Sequence, residues 1–254
     1  SMEFSTVPAI ISGGASGLGE AVARKLASAG CRVAILDMNE EQGEAVAESI
    51  GGLFLPCNVS SADSAESAVS QAAQAHGPCG IAVNCAGIAP AGKILGREGV
   101  MALETFSKAV QVNLIGTFNI LRLAAADMAQ REPTADGERG VIINTASIAA
   151  YEGQIGQSAY SASKGGIVSL TLQSARELAR EGIRVNTIAP GIFRTPMMAG
   201  MPDDVQKSLA ATLPFPSRMG KPEEFAMMVD QMVRNPVLNG EVVRLDCALR
   251  MAPK

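Results

Sequence analysis

Seven short runs of apolar, mostly β-branched residues alternate along this chain with longer stretches of helical periodicity. The apolar runs are nearly continuous, which is typical of strands that are covered on both faces. This alternation predicts right-handed βαβ crossovers and a doubly wound, seven-stranded parallel sheet of the α/β class, flanked by helices. The predicted strands are Val7–Ser12, Arg32–Asp37, Gly52–Pro56, Gly80–Asn84, Val141–Ala146, Ile183–Ala189 and Glu241–Asp246. The predicted helices are Gly17–Gly30, Glu40–Ile50, Ala62–Gly77, Leu103–Arg131, Ser158–Glu181 and Pro222–Arg234.

No linker or break in composition divides the 254 residues, so we predict a single domain over residues 1–254. Two polar stretches, Pro90–Met101 and Arg131–Gly140, are predicted to be surface insertions. The irregular stretch Pro190–Gly220 follows the sixth strand, at the edge of the sheet where ligands bind, and is a candidate lid. Its apolar residues either contact a ligand or pack the lid itself; they are Phe193, Met197, Met198, Met201, Leu209, Leu213 and Phe215.

The composition excludes several classes of function. The 25 acidic and 21 basic side chains include no basic run, so nucleic-acid binding is not expected. No run of 18 apolar residues occurs, so no membrane-spanning helix is expected either. The single histidine, His76, rules out a site with several His ligands, and Cys79 and Cys85 nearby do not complete a metal site. In an enzyme, proton transfer would therefore fall to Tyr, Lys, Cys or a carboxylate.

The five cysteines are an odd number without paired short spacings, which favours reduced thiols in a reducing compartment. The first residues contain no secretory h-region and no Arg-rich presequence. Both features predict a cytoplasmic protein, and a mitochondrial matrix protein after processing is the alternative.

A glycine-rich turn joins the first predicted strand to the first predicted helix. It reads Ser12-Gly13-Gly14-Ala15-Ser16-Gly17-Leu18-Gly19. Glycines let the backbone turn tightly and approach a pyrophosphate, and the helix N-terminus offers free N–H groups and the positive end of its dipole. Because the turn lies between strand one and helix one, it predicts a dinucleotide site and a Rossmann fold.

Asp37 ends the second predicted strand, 20 residues after Gly17. A carboxylate there accepts the ribose hydroxyls of NAD and repels the 2′-phosphate of NADP. Neither Ser16 nor Met38 supplies a compensating cation, so NAD is the predicted cofactor. The alternative interpretation is an exposed Asp that caps the next helix.

Tyr160 and Lys164 lie four residues apart at the start of a predicted helix, and hence on one helical face. A nearby ammonium group is expected to lower the pKa of the phenol, which would make Tyr160 a general acid or base. The spacing alone is common, but Ser147 follows the fifth strand and could hold a substrate oxygen. Asn113 lies in the long helix before that strand and could anchor a proton-relay water. Tyr151 has no Lys four residues later and is predicted to be a loop residue near the substrate.

These motifs, together with Asn84-Cys85-Ala86-Gly87 and Pro190-Gly191-Ile192-Phe193-Arg194-Thr195-Pro196, resemble the short-chain dehydrogenase/reductase family in order and spacing. The resemblance extends from Val7 to Met251. It implies an NAD-dependent enzyme and, as a family expectation, a homotetramer. The residues that it implies for cofactor binding are Ser12, Gly13, Ser16, Gly17, Leu18, Gly19, Asp37, Asn58, Val59, Cys85, Ala86, Gly87, Tyr160, Lys164, Pro190, Phe193 and Thr195.

The resemblance also implies four catalytic roles. Tyr160 would be the proton donor and acceptor, and Lys164 would bind the nicotinamide ribose and depress the pKa of the tyrosine. Ser147 would hold the substrate oxygen, and Asn113 would support a water relay to Lys164. Hydride would pass between the nicotinamide and the substrate carbon.

Three residues depart from the family pattern. Ser12 replaces the usual Thr before the first glycine, and its hydroxyl can serve similarly. Asn58-Val59 stands where Asp-Val is usual beside the adenine, and the amide oxygen can still accept a hydrogen bond without a charge. Cys85 replaces a more frequent Asn, which leaves its main-chain contacts available.

Within the family, Asn144–Leu172 and Pro214–Gly220 look most like the type II 3-hydroxyacyl-CoA dehydrogenases. This resemblance implies oxidation of L-3-hydroxyacyl-CoA to 3-oxoacyl-CoA, with substrate contacts at Ser147, Gln154 and Tyr160. A hydroxysteroid or another secondary alcohol is the alternative substrate, and an acyl-carrier-protein reductase is disfavoured because such enzymes usually prefer NADPH. A catalytically silent NAD-binding regulator is the alternative from another class, although it would have no chemical need of the catalytic set.

Overall fold

The computed structural model describes residues 5–254, which contain nine strands. They are β1 (Pro8–Ser12), β2 (Arg32–Asp37), β3 (Leu53–Pro56), β4 (Ile81–Asn84), β5 (Leu95–Gly96), β6 (Gly99–Val100), β7 (Gly140–Thr145), β8 (Ile183–Pro190) and β9 (Val242–Leu245). Seven of them form a parallel sheet in the order β3-β2-β1-β4-β7-β8-β9. The predicted fold class is therefore confirmed. The first and last residues of each of the seven predicted strands lie within one residue of those observed.

Helices cover both faces of this sheet. They are α1 (Gly17–Ser28), α2 (Glu40–Ile50), α3 (Ala62–His76), α4 (Leu103–Ala109), α5 (Gly116–Met128), α6 (Ser158–Leu178), α7 (Pro196–Ala199), α8 (Asp203–Ala211) and α9 (Pro222–Arg234). Neighbouring residues of a strand enter different cores: Ile11 packs with Val22 and Val229, whereas Ile10 packs on the opposite face with Ile120. Because both faces are buried, the strands read as continuous apolar runs rather than alternating ones.

Helices α4 and α5 are joined by a π-helical turn, Val110–Ile115, into one continuous helix. By length and composition this helix, Leu103–Met128, could cross a membrane, contrary to the expectation drawn from the lack of an 18-residue apolar run. Its Ile120, Ala124 and Met128 are fully buried against the sheet. We therefore interpret it as a core helix. The sequence predicted the helix but not the π turn, which is a feature often found at functional sites.

The predicted insertions and lid have structure of their own. Strands β5 and β6 form a small antiparallel hairpin within Pro90–Met101, and its Leu95 and Val100 are exposed. The lid holds the short helices α7 and α8, which the sequence pattern did not resolve. Within the lid, Leu213 is buried whereas Met197 and Phe215 are largely exposed. The packing interpretation therefore holds for Leu213, and a ligand contact stays a prediction for Met197 and Phe215.

The second insertion supplies one half of a buried ion pair. Glu138 accepts two hydrogen bonds from the guanidinium of Arg184 on β8, at 3.0 and 2.8 Å. Both side chains are only 7% exposed. Arg184 also donates to three carbonyl oxygens at the end of α9 and just after it, those of Met232, Val233 and Leu238. The pair therefore ties the insertion, the sheet and α9 together at the amino edge of the strands.

Candidate active site

A chain of polar side chains links the carboxyl ends of β1, β4 and β7. The Ser12 hydroxyl donates to Asn84 Oδ1 at 3.2 Å, and Asn84 Nδ2 donates to Asn144 Oδ1 at 2.9 Å. The backbone N–H of Ala86 donates weakly to the Ser12 hydroxyl at 3.5 Å. Asn84 and Asn144 were not among the predicted site residues. The sequence did contain a signal for them, because each is a polar residue at the carboxyl end of an apolar strand, and the two strands pair with Asn84 opposite Asn144.

The glycine-rich turn has the shape of an anion cradle. Gly13 and Gly17 have φ angles of 70° and 57°, which favour glycine. A Cβ on Gly19 would lie 2.1 Å from the Gly13 carbonyl oxygen, so no other residue fits without displacing the turn. Ser16 precedes α1 but its side chain makes no capping bond, so the first N–H groups of the helix keep their hydrogen-bonding capacity. This cradle fits a dinucleotide diphosphate.

Asp37 lies beside the cradle at the end of β2. Its Oδ2 accepts from the N–H of Ala15 at 3.1 Å and its Oδ1 from the N–H of Asn39 at 3.0 Å. The cap of α2 is Asn39, whose side chain accepts from the N–H of Gln42. The interpretation of Asp37 as that helix cap is therefore wrong. Each carboxylate oxygen keeps accepting capacity for a ligand hydroxyl.

The residues predicted to lie beside the adenine have other contacts. Asn58 Oδ1 accepts from both the N–H and the hydroxyl of Ser60, at 3.1 and 2.7 Å. The amide oxygen expected to face the adenine amino group is therefore used within its own turn. The carbonyl oxygen of Val59 accepts from Asn119 Nδ2 at 2.8 Å, and the Val59 side chain packs against Gly116 of α5.

The start of the lid lies over the cradle. A Cβ on Gly17 would come within 3.8 Å of the Thr195 methyl group, and the Thr195 hydroxyl caps α7. The Phe193 ring, in contrast, is only 7% exposed and packs edge-on against Phe225, with ring centroids 6.2 Å apart. The core therefore holds the Phe193 ring, and a cofactor contact at Phe193 stays a prediction.

Helix α6 brings Tyr160 and Lys164 to the carboxyl end of β7. The buried Lys164 Nζ donates to the carbonyl oxygen of Thr145 at 2.9 Å and lies 5.7 Å from the centre of the Tyr160 ring. The Ser147 hydroxyl accepts from the N–H of Ala149 at 3.1 Å and also hydrogen-bonds the Tyr160 phenol. The three side chains that the sequence places 13 and 4 residues apart thus meet in one site.

The expected lowering of the pKa of Tyr160 is wrong. Burial raises the pKa of Tyr160 above its ordinary value, and the hydrogen bond with Ser147 opposes this only in part. Burial also lowers the pKa of Lys164 to about 8. The phenolate of Tyr160 and the ammonium of Lys164 are both disfavoured, because burial leaves little water to solvate their charges. Tyr160 is therefore a phenol at neutral pH, the form that donates a proton.

Asn113 lies in the π turn and is fully buried. Its Oδ1 accepts from the N–H of Ile88 and its Nδ2 donates to the Ile88 carbonyl, both at 2.8 Å. The second N–H of Nδ2 donates to the Ser163 hydroxyl at 3.0 Å, which in turn donates to the Tyr160 carbonyl oxygen at 2.8 Å. Asn113 thus braces the turn after Gly87 with its oxygen and one N–H, and its other N–H links that turn to α6. Ser163 is a link that no sequence signal singled out.

Two further predicted residues have definite surroundings. Cys85 is half-buried and accepts from the Thr145 hydroxyl at 3.7 Å, and burial raises the pKa of its thiol to about 11. It is therefore a thiol rather than a thiolate at neutral pH. Gln154 donates from Nε2 to the carbonyl oxygen of Ala252 at 3.0 Å, and its contact with substrate stays a prediction.

Comparisons with known proteins identify relatives over the whole of this architecture. A family model described as short chain dehydrogenase matches residues 8–206. The 3-hydroxyacyl-CoA dehydrogenase type-2 of Rattus norvegicus is 52% identical over 249 residues, covering 96% of this chain and 95% of that protein. The Homo sapiens protein of the same name is 51% identical with the same coverage. A crystal structure of 3-hydroxyacyl-CoA dehydrogenase type-2 from Mycobacterium avium superposes with a TM-score of 0.94 at 45% identity and covers 98% of each chain.

Proposed function

The chain belongs to the short-chain dehydrogenase family, and on that premise we propose that it interconverts L-3-hydroxyacyl-CoA and 3-oxoacyl-CoA with NAD as cofactor. Family membership makes it an oxidoreductase with a nicotinamide dinucleotide cofactor. One observation supports the choice of substrate. About half of the residues, over 96% of the chain, are identical to those of proteins named 3-hydroxyacyl-CoA dehydrogenase type-2.

The preference for NAD is supported by Asp37. Its carboxylate adjoins the cradle through Ala15 and retains accepting capacity for both adenine-ribose hydroxyls. A 2′-phosphate would meet this negative charge, and the neighbouring Ser16 and Met38 carry no positive one. The cradle N–H groups of α1 would hold the diphosphate, and Lys164 would hold the nicotinamide ribose. The bound cofactor supplies the carbon that accepts or gives hydride.

Ser147 and Tyr160 would act together on the substrate oxygen. In reduction, the Tyr160 phenol donates its proton to the ketone oxygen while the Ser147 hydroxyl donates a second hydrogen bond to that oxygen. At neutral pH Tyr160 holds the proton to be donated, because burial raises the pKa of its phenol further above that range. In the oxidation direction Tyr160 must first release its own proton to solvent, and the resulting phenolate then takes the proton of the substrate alcohol. The contacts from Asn113 through Ser163 to the Tyr160 carbonyl oxygen support the backbone that carries Tyr160.

The exposed part of the lid favours a second candidate function, oxidation of other apolar secondary alcohols such as hydroxysteroids. Met197 and Phe215 present flexible or flat apolar surface on the lid. The experiment that tests both candidates measures NADH and NADPH oxidation with acetoacetyl-CoA, acetoacetyl-carrier protein and a ketosteroid. We expect the highest kcat/KM with acetoacetyl-CoA and NADH. A ketosteroid turned over faster would favour the second candidate, and no turnover of any ketone would contradict both.

Replacing Asp37 by Asn is expected to raise the KM for NADH about tenfold and to reduce the discrimination against NADPH. The amide keeps one oxygen acceptor for the backbone but loses the charge that repels a 2′-phosphate. Steady-state kinetics with both cofactors measure the change. Asp63→Asn, on the first turn of α3, is a matched control that removes the same charge elsewhere. A wild-type preference for NADPH would contradict the role assigned to Asp37.

A further inference from the structure

The loop Tyr151–Gln157 connects the two side chains proposed to act on the substrate oxygen. It follows the short helical turn Ile148–Ala150, which Ser147 caps, and it leads into α6, which begins at Ser158 and carries Tyr160. Gly153 passes so close to α6 that a Cβ there would lie 2.3 Å from the Ser161 hydroxyl. The position of this loop therefore bears directly on the distance between Ser147 and Tyr160.

The C-terminal segment Met251–Pro253 holds this loop by three successive contacts. The N–H of Met251 donates to Glu152 Oε1 at 3.4 Å. The side chain of Gln154 donates to the carbonyl oxygen of Ala252 at 3.0 Å, and the N–H of Ile155 donates to that of Pro253 at 2.8 Å. Two of the three bonds use backbone carbonyls of the segment, so they depend on its path rather than on its side chains.

Arg244 of β9 clamps the same loop from the sheet. Its two terminal nitrogens donate to the two oxygens of Glu152 at 2.7 and 2.5 Å, and its Nε donates to Asp246 at 2.8 Å. It also donates to the carbonyl oxygen of Leu249, just before the C-terminal segment. The pair is about one-fifth exposed, and the guanidinium holds the pKa of Glu152 below its usual range. The loop and the segment are thus fixed to one arginine.

Apolar packing extends this assembly to the lid. Leu249 forms a buried cluster with Ile148, from the turn after Ser147, and with Leu213, from the end of the lid. Met251 packs against the same cluster. On the other side of the loop, the N–H of Gly92 donates to the Gly156 carbonyl, and a largely apolar cavity of about 400 Å³ lies between Gly92–Ile94 and residues 153–158.

We propose that Met251–Pro253 is a positioning element of the substrate site, which sets the place of the loop Tyr151–Gln157 and so the affinity for substrate. The inference rests on the proposed function. The segment follows β9 at one edge of the sheet, whereas the cradle follows β1, and three strands, β4, β7 and β8, lie between β1 and β9. Its influence is therefore on substrate and not on the cofactor.

The test compares a chain that ends at Arg250 with a control chain that ends at Pro253 and lacks only Lys254. We expect the shorter chain to show a KM for acetoacetyl-CoA about tenfold higher or more, with the KM for NADH unchanged and kcat within about threefold. The control chain should match the full chain. A purely structural role would lower stability without this split between substrate and cofactor, and equal KM values for acetoacetyl-CoA in all three chains would overturn the proposal.

A second variant, Glu152→Gln, keeps the full length and weakens the clamp on Arg244. We expect a smaller rise in the KM for acetoacetyl-CoA and faster amide hydrogen exchange in residues 151–157, with exchange in β1 unchanged. Hydrogen exchange needs no turnover, so it separates this inference from the proposed function. If the full chain reduces no acyl-CoA, the proposed function fails; if the loop exchanges equally fast with and without Met251–Pro253, the positioning role fails.

Discussion

Tyr160→Phe is expected to lower kcat for ketone reduction roughly 10³-fold, the scale of a lost general acid. The substitution removes the hydroxyl and leaves the ring, which is half-buried on α6 beside Lys164. The hydroxyl is the group that faces Ser147, and burial keeps it protonated at neutral pH. Ser147 and Lys164 remain in place in the variant, but neither is expected to supply the proton in its stead. Initial rates of NADH oxidation with saturating ketone measure the loss.

The second tyrosine provides a matched control. Tyr151 is about half exposed, at 47%, and the Arg244 guanidinium lies 5.1 Å from the centre of its ring. Tyr151→Phe removes the same atom from the neighbouring loop and is expected to leave kcat within about threefold of the wild type. NADH affinity, measured by fluorescence titration, should be retained in both variants. Normal activity in Tyr160→Phe, or an equal loss in Tyr151→Phe, would show that the acid is assigned to the wrong residue.

Arg184→Met is expected to lower the free energy of unfolding by about 3–5 kcal/mol. The guanidinium makes two bonds to Glu138 and three to the carbonyls of Met232, Val233 and Leu238. Methionine fills much of the same volume but leaves a carboxylate and three carbonyl oxygens without these donors. The loss is large because both partners are 7% exposed, so little water replaces the missing bonds. Denaturant unfolding followed by circular dichroism measures the change.

The control for this variant is Arg180→Met. Arg180 makes a single 3.4 Å contact with Glu181, and its side chain is 85% exposed. Removing such a surface pair is expected to cost less than about 1 kcal/mol. Since Arg184 lies near the amino end of β8, at the opposite edge from the active site, kcat of the folded Arg184→Met protein should be unchanged. A loss of stability no larger than that of Arg180→Met would contradict the structural role of the buried pair.

The sequence was sufficient to predict the sheet because the residue types of each strand depend directly on whether its faces are buried. Runs such as Val141–Ala146 are apolar at every position only when helices cover both faces, and the structure places Ile142 and Ile143 in opposite cores. The glycine cradle was equally readable, since positive φ angles and close backbone contacts at Gly13 and Gly19 admit almost no other residue. Steric demands of the local backbone therefore restrict which residue types occur at these positions.

Contacts between segments that are distant in the chain did not restrict residue types in a way that the sequence pattern shows. The π turn that orients Asn113 has the same apolar periodicity as the α-helix around it, and Ser163 is one of many small residues in α6. The core position of the Phe193 ring depends on Phe225, which is 32 residues later in the chain. The link between Gln154 and the C-terminal segment spans 98 residues. Each of these contacts exists only once the sheet has brought its partners together.

The sequence by itself determined the fold, the position of the cradle, and the meeting of Ser147, Tyr160 and Lys164 at one edge of the sheet. Strand ends and a single helical face suffice for that. Only the tertiary structure decided the protonation of the site, because burial acts on Tyr160 and Lys164 together and outweighs the attraction expected from their spacing. A pKa depends on how much solvent remains around a charge, and this quantity is known only when the surrounding segments are packed in place.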